Sequence, residues 1–281
     1  MADLLLHSMS EFADIVLDAL ALADARDIVE IGAEHGGMSQ RLAAYAQARG
    51  GRLTSIDPAP QPAFVEWAAG QDHVTHIAAP SLAALGGIAG ADAWLIDGDH
   101  NWFTVYHEIG AIDRIARASG RPLLAFFHDV GWPAGRRDQY YAPAQIPPAY
   151  RHAFDFEGGV VPGVAGTLPG RGFRGMGHFA WARHEGGARN GVMTAIEDFL
   201  TDVHAAGRDL AFAEVPAVFG LGVLFDSQAP WSEALGRMLL PVHENALLAT
   251  LERNRLANYL RVIELQDELA TRPPPPLGAA A

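Results

Sequence analysis

The chain has 281 residues, 49% hydrophobic and 19% charged, which is globular composition with length for a large buried core. A formal net charge of −13 argues against a general nucleic-acid binder, and because all 20 basic residues are arginine there is no Schiff-base lysine and no lysine-bearing phosphate loop. The absence of cysteine excludes disulfides, zinc–thiolate sites and thiol nucleophiles.

The opening stretch "MADLLLHSMSEF" lacks the basic flank of a signal peptide, and no apolar run approaches the ~20 residues of a membrane span. The expectation is a cytoplasmic protein without membrane contact. Residues 8–24 predict an amphipathic helix, with Ser8 and Glu11 spaced as a capping box and Met9, Phe12, Ile15, Val16, Ala19, Leu20 and Ala23 on one face. Short apolar runs bounded by turn residues follow at 27–32, 52–57, 73–78, 92–97 and 123–129, separated by helix-compatible stretches at 38–49, 61–69, 81–89 and 102–118. Strand alternating with helix predicts right-handed crossovers and a parallel sheet, buried on both faces.

The periodicity stops after residue 130. Residues 131–190 hold 12 Gly and 6 Pro, with seven arginines against four acids and a high share of aromatics. This composition predicts a lid or substrate-binding insertion outside the core. Asn190 is the expected N-cap of a helix closed by Gly207. Two strands are expected over 210–226, meeting near Pro216, and one terminal helix over about 232–270, ended by the proline run 273–276. That helix packs on its own domain or forms a homodimer contact. The domain division is 1–230, including the 131–190 insertion, and 231–281.

Four strand ends carry the chemistry. "IVEIGAEHGGMS" (28–39) ends a strand in Glu30 and turns through Gly32, Glu34 and Gly36 into a helix. A glycine turn lets a ligand approach the backbone and the amides that open the next helix. A dinucleotide site wants glycine where Glu34 stands, against a pyrophosphate that a carboxylate repels. Glu30 and Glu34 suit a cationic ligand such as S-adenosylmethionine (SAM), so an NAD-linked oxidoreductase is the weaker reading. Asp57, at the end of the second strand, is placed to accept ribose hydroxyls; the plainer reading is a turn before Pro58. "LIDGDH" and "FFHDV" add Asp97, Asp99, His100, His128 and Asp129 at two further strand ends, where open parallel sheets bind ligands.

With "VEIGAEHGG", "SID", "LIDGDH" and "FFHDV" in this order, the chain resembles the class I SAM-dependent methyltransferases, more narrowly the macrocin-type and catechol-type small-molecule O-methyltransferases. The resemblance covers about residues 25–130 and 191–226. It implies an α/β, doubly wound Rossmann-like sheet of seven strands in the order 3-2-1-4-5-7-6, the last antiparallel. It implies that Glu30, Gly32 and Gly36 line the methionine part of SAM, that Asp57 takes the ribose and that Ser81 lies near the adenine, with Glu34 and Asp97 also on the cofactor. Metal-dependent members hold a divalent cation, Mg2+ or Mn2+, with an acid after strand four and an acid pair after strand five. Asp97, His128 and Asp129 stand at those positions. The histidine departs from the family pattern and shifts the donor set toward Mn2+, Fe2+, Co2+ or Zn2+. Without a metal, His128 is the general base, with His100 and Asp97 as its catalytic neighbours.

The expected activity is methyl transfer from SAM to a hydroxyl of a small polar molecule, a sugar or a biosynthetic intermediate, with the arginines of 131–190 favouring an anionic or sugar-containing substrate. The alternative keeps the fold and drops the reaction: a SAM- or SAH-binding protein with another activity or a structural role. No nucleic-acid partner is expected, since "DGDH" stands where a base-methylating motif would.

Overall fold

The computed structural model describes residues 5–271. In it the five apolar runs form β1 (Asp27–Ile31), β2 (Arg52–Ile56), β3 (Val74–Ile77), β4 (Ala93–Ile96) and β5 (Leu124–His128). Between them lie α1 (Ala13–Leu22), α2 (Gly37–Ala48), α3 (Pro62–Ala69), α4 (Ser81–Ala84) and α5 (Trp102–Ser119), α1 preceding the first strand. Later come β6 (Gln139–Tyr140), β7 (Phe154–Asp155), β8 (Gly158–Gly159), β9 (Leu168–Pro169) and β10 (Ala180–Ala182), then α6 (Val192–Ala205), β11 (Leu210–Val215), β12 (Leu221–Asp226), α7 (Ser232–Leu239) and α8 (Ala246–Thr271).

The main sheet has seven strands in the order β3-β2-β1-β4-β5-β12-β11, with β12 antiparallel to both neighbours. This is the expected 3-2-1-4-5-7-6 order, counting only the strands of this sheet. Its strands alternate strictly. Ile28, Leu53, Leu95 and Phe126 face a core formed with α1, α2 and α7, while Val29, Ile31, Trp94, Ile96 and Phe127 face one formed with α5 and α6. Both faces are dry, so each fully buried side chain contributes about 1.5–3 kcal/mol relative to exposure.

The register fixes the site. Ile31 lies beside Ile56 and Ile96, and Ile96 beside Phe127. The residues that follow, Gly32, Asp57, Asp97 and His128, therefore share one edge of the sheet. Antiparallel β12 places Leu221 opposite His128, which brings the 216–220 turn to the same edge.

Several local expectations change. Ser8 caps a short 3-10 turn, Met9–Phe12, by accepting from the Ser10 amide, so the capping box with Glu11 does not form. Asn190 is not an N-cap: its side chain accepts from the Asp138 amide and donates to the carbonyls of His184 and Gly186, and α6 starts from Gly191. The single helix over 232–270 is two helices, α7 and α8, interrupted around Pro241, which lacks an amide to continue the first. The proline run 273–276 lies outside the described residues. Among the described residues, no helix is long and apolar enough to cross a membrane.

The 131–190 insertion is also more ordered than a loop. β6, β10 and β7 form a small antiparallel sheet, β8 and β9 a hairpin, and Trp181, Tyr140 and Val160 are fully buried. Its anchor is Asp138. One carboxylate oxygen accepts from the Trp102 and Gly191 amides at 2.7 Å each, and the other accepts from the Tyr140 hydroxyl at 2.7 Å. Buried Arg137 donates to the carbonyls of Ala182 and Ala165 at 2.7 Å each. These bonds join the insertion to the first turns of α5 and α6. Replacing Asp138 with Ala strands three buried donors, and urea unfolding should show a loss of about 3 kcal/mol or more.

Candidate active site

The glycine turn is shaped by what lies behind it. Gly32 has φ +88°, and a Cβ there would stand 2.2 Å from the carbonyl oxygen of Asp97, so only glycine lets β1 and β4 end this close together. Gly36, at φ +79°, opens α2. Glu34 is itself left-handed, at φ 44°, and exposed. Asp57 holds this turn in place: it accepts from the amides of Ala33 (2.8 Å) and Glu34 (3.0 Å) with one oxygen and from Ala59 (2.8 Å) with the other. The turn before Pro58 is thus real, and the carboxylate keeps further lone pairs for a ligand. Glu30 is buried beneath, accepting from Ser39 (2.6 Å) and Ser55 (2.8 Å) through one oxygen, and burial pushes its pKa up to about 7.

Past β4 and β5, two carboxylates and two imidazoles interlock. Asp129 has φ 59°, which turns its side chain back over the sheet edge. Its carboxylate lies 3.0 Å from His100 Nε2 and 3.2 Å from His128 Nδ1; Asp97 lies 3.4 Å and 3.1 Å from the same atoms. Burial works against the charged forms, but the opposite charges prevail. The carboxylates raise His100 to about 10 and His128 well above its usual value, and both aspartates are held below theirs. At neutral pH the four groups are two ion pairs with no net charge.

The two histidines differ in reach. His128 is buried, and its Nε2 donates to the Val218 carbonyl at 2.9 Å while Nδ1 faces the carboxylates, so no lone pair is left for a substrate. His100 spends only Nε2, and its Nδ1 has no hydrogen-bond partner. The donor atoms that converge within 4.8 Å are those of Asp97, His100 and Asp129. Their mixed oxygen and nitrogen set fits a divalent metal, with His100 taking the place the sequence gave to His128.

Ser81 opens α4 and faces inward. It relieves part of the strain on Glu108 of α5, a fully buried carboxyl that burial, with Asp99 nearby, pushes up to about 8. Pattern reading missed Glu108, because it sits at a core position of an otherwise regular helix. It also passed over Tyr141 of the insertion, which lies 6.1 Å from the His100 ring and 6.0 Å from Phe179 and roofs the site. An aromatic in an aperiodic stretch carries no signal of where it folds.

Residues 29–130 match the family model described as a methyltransferase domain. The match runs from β1 to just past β5 and takes in the glycine turn, and the strand order of the sheet agrees with a methyltransferase domain there. No curated protein sequence is significantly similar to the chain. Among solved structures, an O-methyltransferase from Bacillus cereus in complex with SAH overlaps 78% of this chain and 81% of its own at 14% identity, with a TM-score of 0.46. An O-methyltransferase of tomaymycin synthesis from Streptomyces achromogenes, in complex with SAM, overlaps 79% and 82% at 16% identity and a TM-score of 0.46. An SAH-bound methyltransferase from Podospora anserina overlaps 75% and 76% at 13% identity and a TM-score of 0.45. Overlaps this loose transfer no residue roles.

Two of the raised groups, His100 and Glu108, titrate in different windows. The stability His100 contributes is complete below 6.5 and is lost as pH climbs through about 10. Glu108 favours the folded state while protonated, so its stability contribution falls from 4.5 upward and levels off above about 8. The melting temperature should therefore decline across this whole range. Glu108→Gln should flatten the lower part of the decline and His100→Gln the upper part, measured by thermal unfolding at stepped pH.

Proposed function

We propose that this protein transfers the methyl group of SAM to a hydroxyl of a small polar molecule, a sugar or a biosynthetic intermediate. The observation that carries the reading is the charge at the glycine turn. Glu34 and Asp57 stand there, and their one ion-pair partner among the described residues is His35, while the Asp97, Asp129, His100 and His128 cluster beyond it adds no net positive charge. A turn of this charge repels a pyrophosphate and favours a ligand carrying a sulfonium and an ammonium.

SAM, when bound, supplies the methyl group on a positively charged sulfur. Asp57 offers its remaining lone pairs to the ribose, Gly32, Glu34 and Gly36 border the methionine part with Glu30 supporting them from beneath, and Ser81 stands at the adenine end. Asp97 and Asp129 fix the His100 ring. With a cationic ligand beside it, the His100 imidazolium would lose its proton more readily, and its Nδ1, which has no partner in the protein, would be the group to take the proton of the acceptor hydroxyl. His128, with both nitrogens engaged, anchors the two carboxylates. Tyr141 and Phe179 exclude water.

A second reading of the same cluster rests on the converging donors. If a divalent metal is bound, Asp97, His100 and Asp129 hold it, and it supplies Lewis-acid polarisation of the acceptor oxygen. EDTA treatment followed by Mn2+ or Mg2+ in a turnover assay separates the two: recovery only with metal favours this second reading.

The anionic or sugar-bearing substrate class rests on the insertion's arginines. Arg136, Arg137, Arg151, Arg174 and Arg183 bond within the chain, which leaves Arg189, stacked over Trp102 and Tyr150, as the better placed of the others. A homodimer is supported by an exposed leucine edge on α8, where Leu247, Leu251, Leu265 and Leu269 are 67%, 56%, 42% and 61% exposed. Analytical ultracentrifugation of Leu251→Glu against wild type tests it.

Calorimetric titration with SAM in buffers of different ionisation enthalpy should show binding with proton release. His100→Gln should lower kcat about 100-fold or more while changing SAM affinity much less. SAM binding without any methylated product would move the reading to a SAM-binding protein with another role, and no SAM binding would remove it.

A further inference from the structure

The turn between β11 and β12 contains two successive non-glycine residues in the left-handed region, Val218 at φ 46° and Phe219 at φ 65°. A β-branched residue is rarely found there, so something must hold the pair. Successive amides in such a conformation point the same way and form a small anion-binding concavity. Here the anion is a side chain of α8. Glu252 accepts from the Val218 amide with one carboxylate oxygen and from the Phe219 amide with the other, at 3.0 Å each.

Glu252 is held in turn. Arg255 donates to its two oxygens at 2.7 Å and 2.6 Å, and the same guanidinium lies 4.8 Å from the Phe219 ring. Burial alone would raise the Glu252 carboxyl, yet Arg255 and the two amides keep it below its usual range. The carbonyls on the other side of the turn point to the site: Val218 accepts from His128 Nε2 at 2.9 Å, and Phe219 accepts from the Gly131 amide at 2.6 Å.

We propose that Glu252 is a positioning residue of the active site: its carboxylate holds Val218 and Phe219 in the left-handed conformation that presents the Val218 carbonyl to His128, and His128 in turn sets Asp97 and Asp129. The C-terminal helix, assigned from sequence to a separate segment, is on this view part of the site's frame. The effect on turnover rests on the methyl-transfer reading; the effect on His128 does not.

The test uses the full chain, 15N-labelled, and follows the His128 Nε2 proton, assigned by its loss in His128→Gln. In wild type this proton should exchange slowly. In Glu252→Gln, where one amide loses its acceptor, exchange should rise at least about tenfold, and kcat should fall about ten- to hundredfold with KM for SAM within about twofold. Glycine adopts positive φ without strain, so adding Val218→Gly and Phe219→Gly to Glu252→Gln should restore slow exchange. A merely structural role for Glu252 predicts no such rescue. An unchanged His128 signal in Glu252→Gln, or a glycine pair that does not restore it, overturns the proposal. If Glu252→Gln releases α8, the triple variant still decides, because the glycine turn should recover the His128 signal with the helix undocked. A wild type that turns over no substrate counts against methyl transfer and leaves the exchange measurement to judge Glu252.

Discussion

Two carboxylates and two imidazoles, withdrawn together from water at one sheet edge, are the constraint around which the rest is arranged. Asp97 or Asp129 buried alone would be neutralised or rejected; paired with His100 and His128, each stays charged. The quartet is balanced only while every member keeps its place, because removing one leaves a buried charge unpaired. The parallel register places Asp97 and His128 side by side, the left-handed Asp129 closes the ring, and His100 comes over from the start of α5.

The surroundings hold this quartet from three directions. Beneath it, the two-faced sheet supplies a rigid edge. Above it, the 131–190 insertion brings Tyr141 over His100, and it does so from a buried anchor, Asp138, rather than as a free flap. From the side, α8 fills the anion-binding turn at 218–219, whose carbonyl holds His128. Each support comes from a different part of the sequence, and the one from α8 ends on a hydrogen bond to His128.

Where sequence reading failed, the cause was competition for backbone partners. Asn190 has the chemistry of an N-cap, but the insertion needed its amide and carbonyl to tie 138 to 184–186, and tertiary bonds won. Ser8 found its amide two residues on rather than three, which tightened the first turn to a 3-10 form. The insertion looked like loop because strands of two or three residues are too short to show a period, although Trp181 and Tyr140 bury as deeply as any core residue. One of the arginines that suggested a substrate surface is internal: Arg137 is wholly buried and bonds carbonyl oxygens.

The sequence by itself determined the strand–helix alternation, the glycine turn and the acids and histidines that end the strands, because these depend on local periodicity and on positions one or two residues past a strand. Tertiary structure alone decided which histidine keeps a free nitrogen, which carboxylate holds the glycine turn, and that Glu252 binds the amides of the 218–219 turn. Those outcomes depend on contacts between residues 23 to 90 positions apart in the chain, set by sheet register and helix docking, and a linear pattern does not encode them.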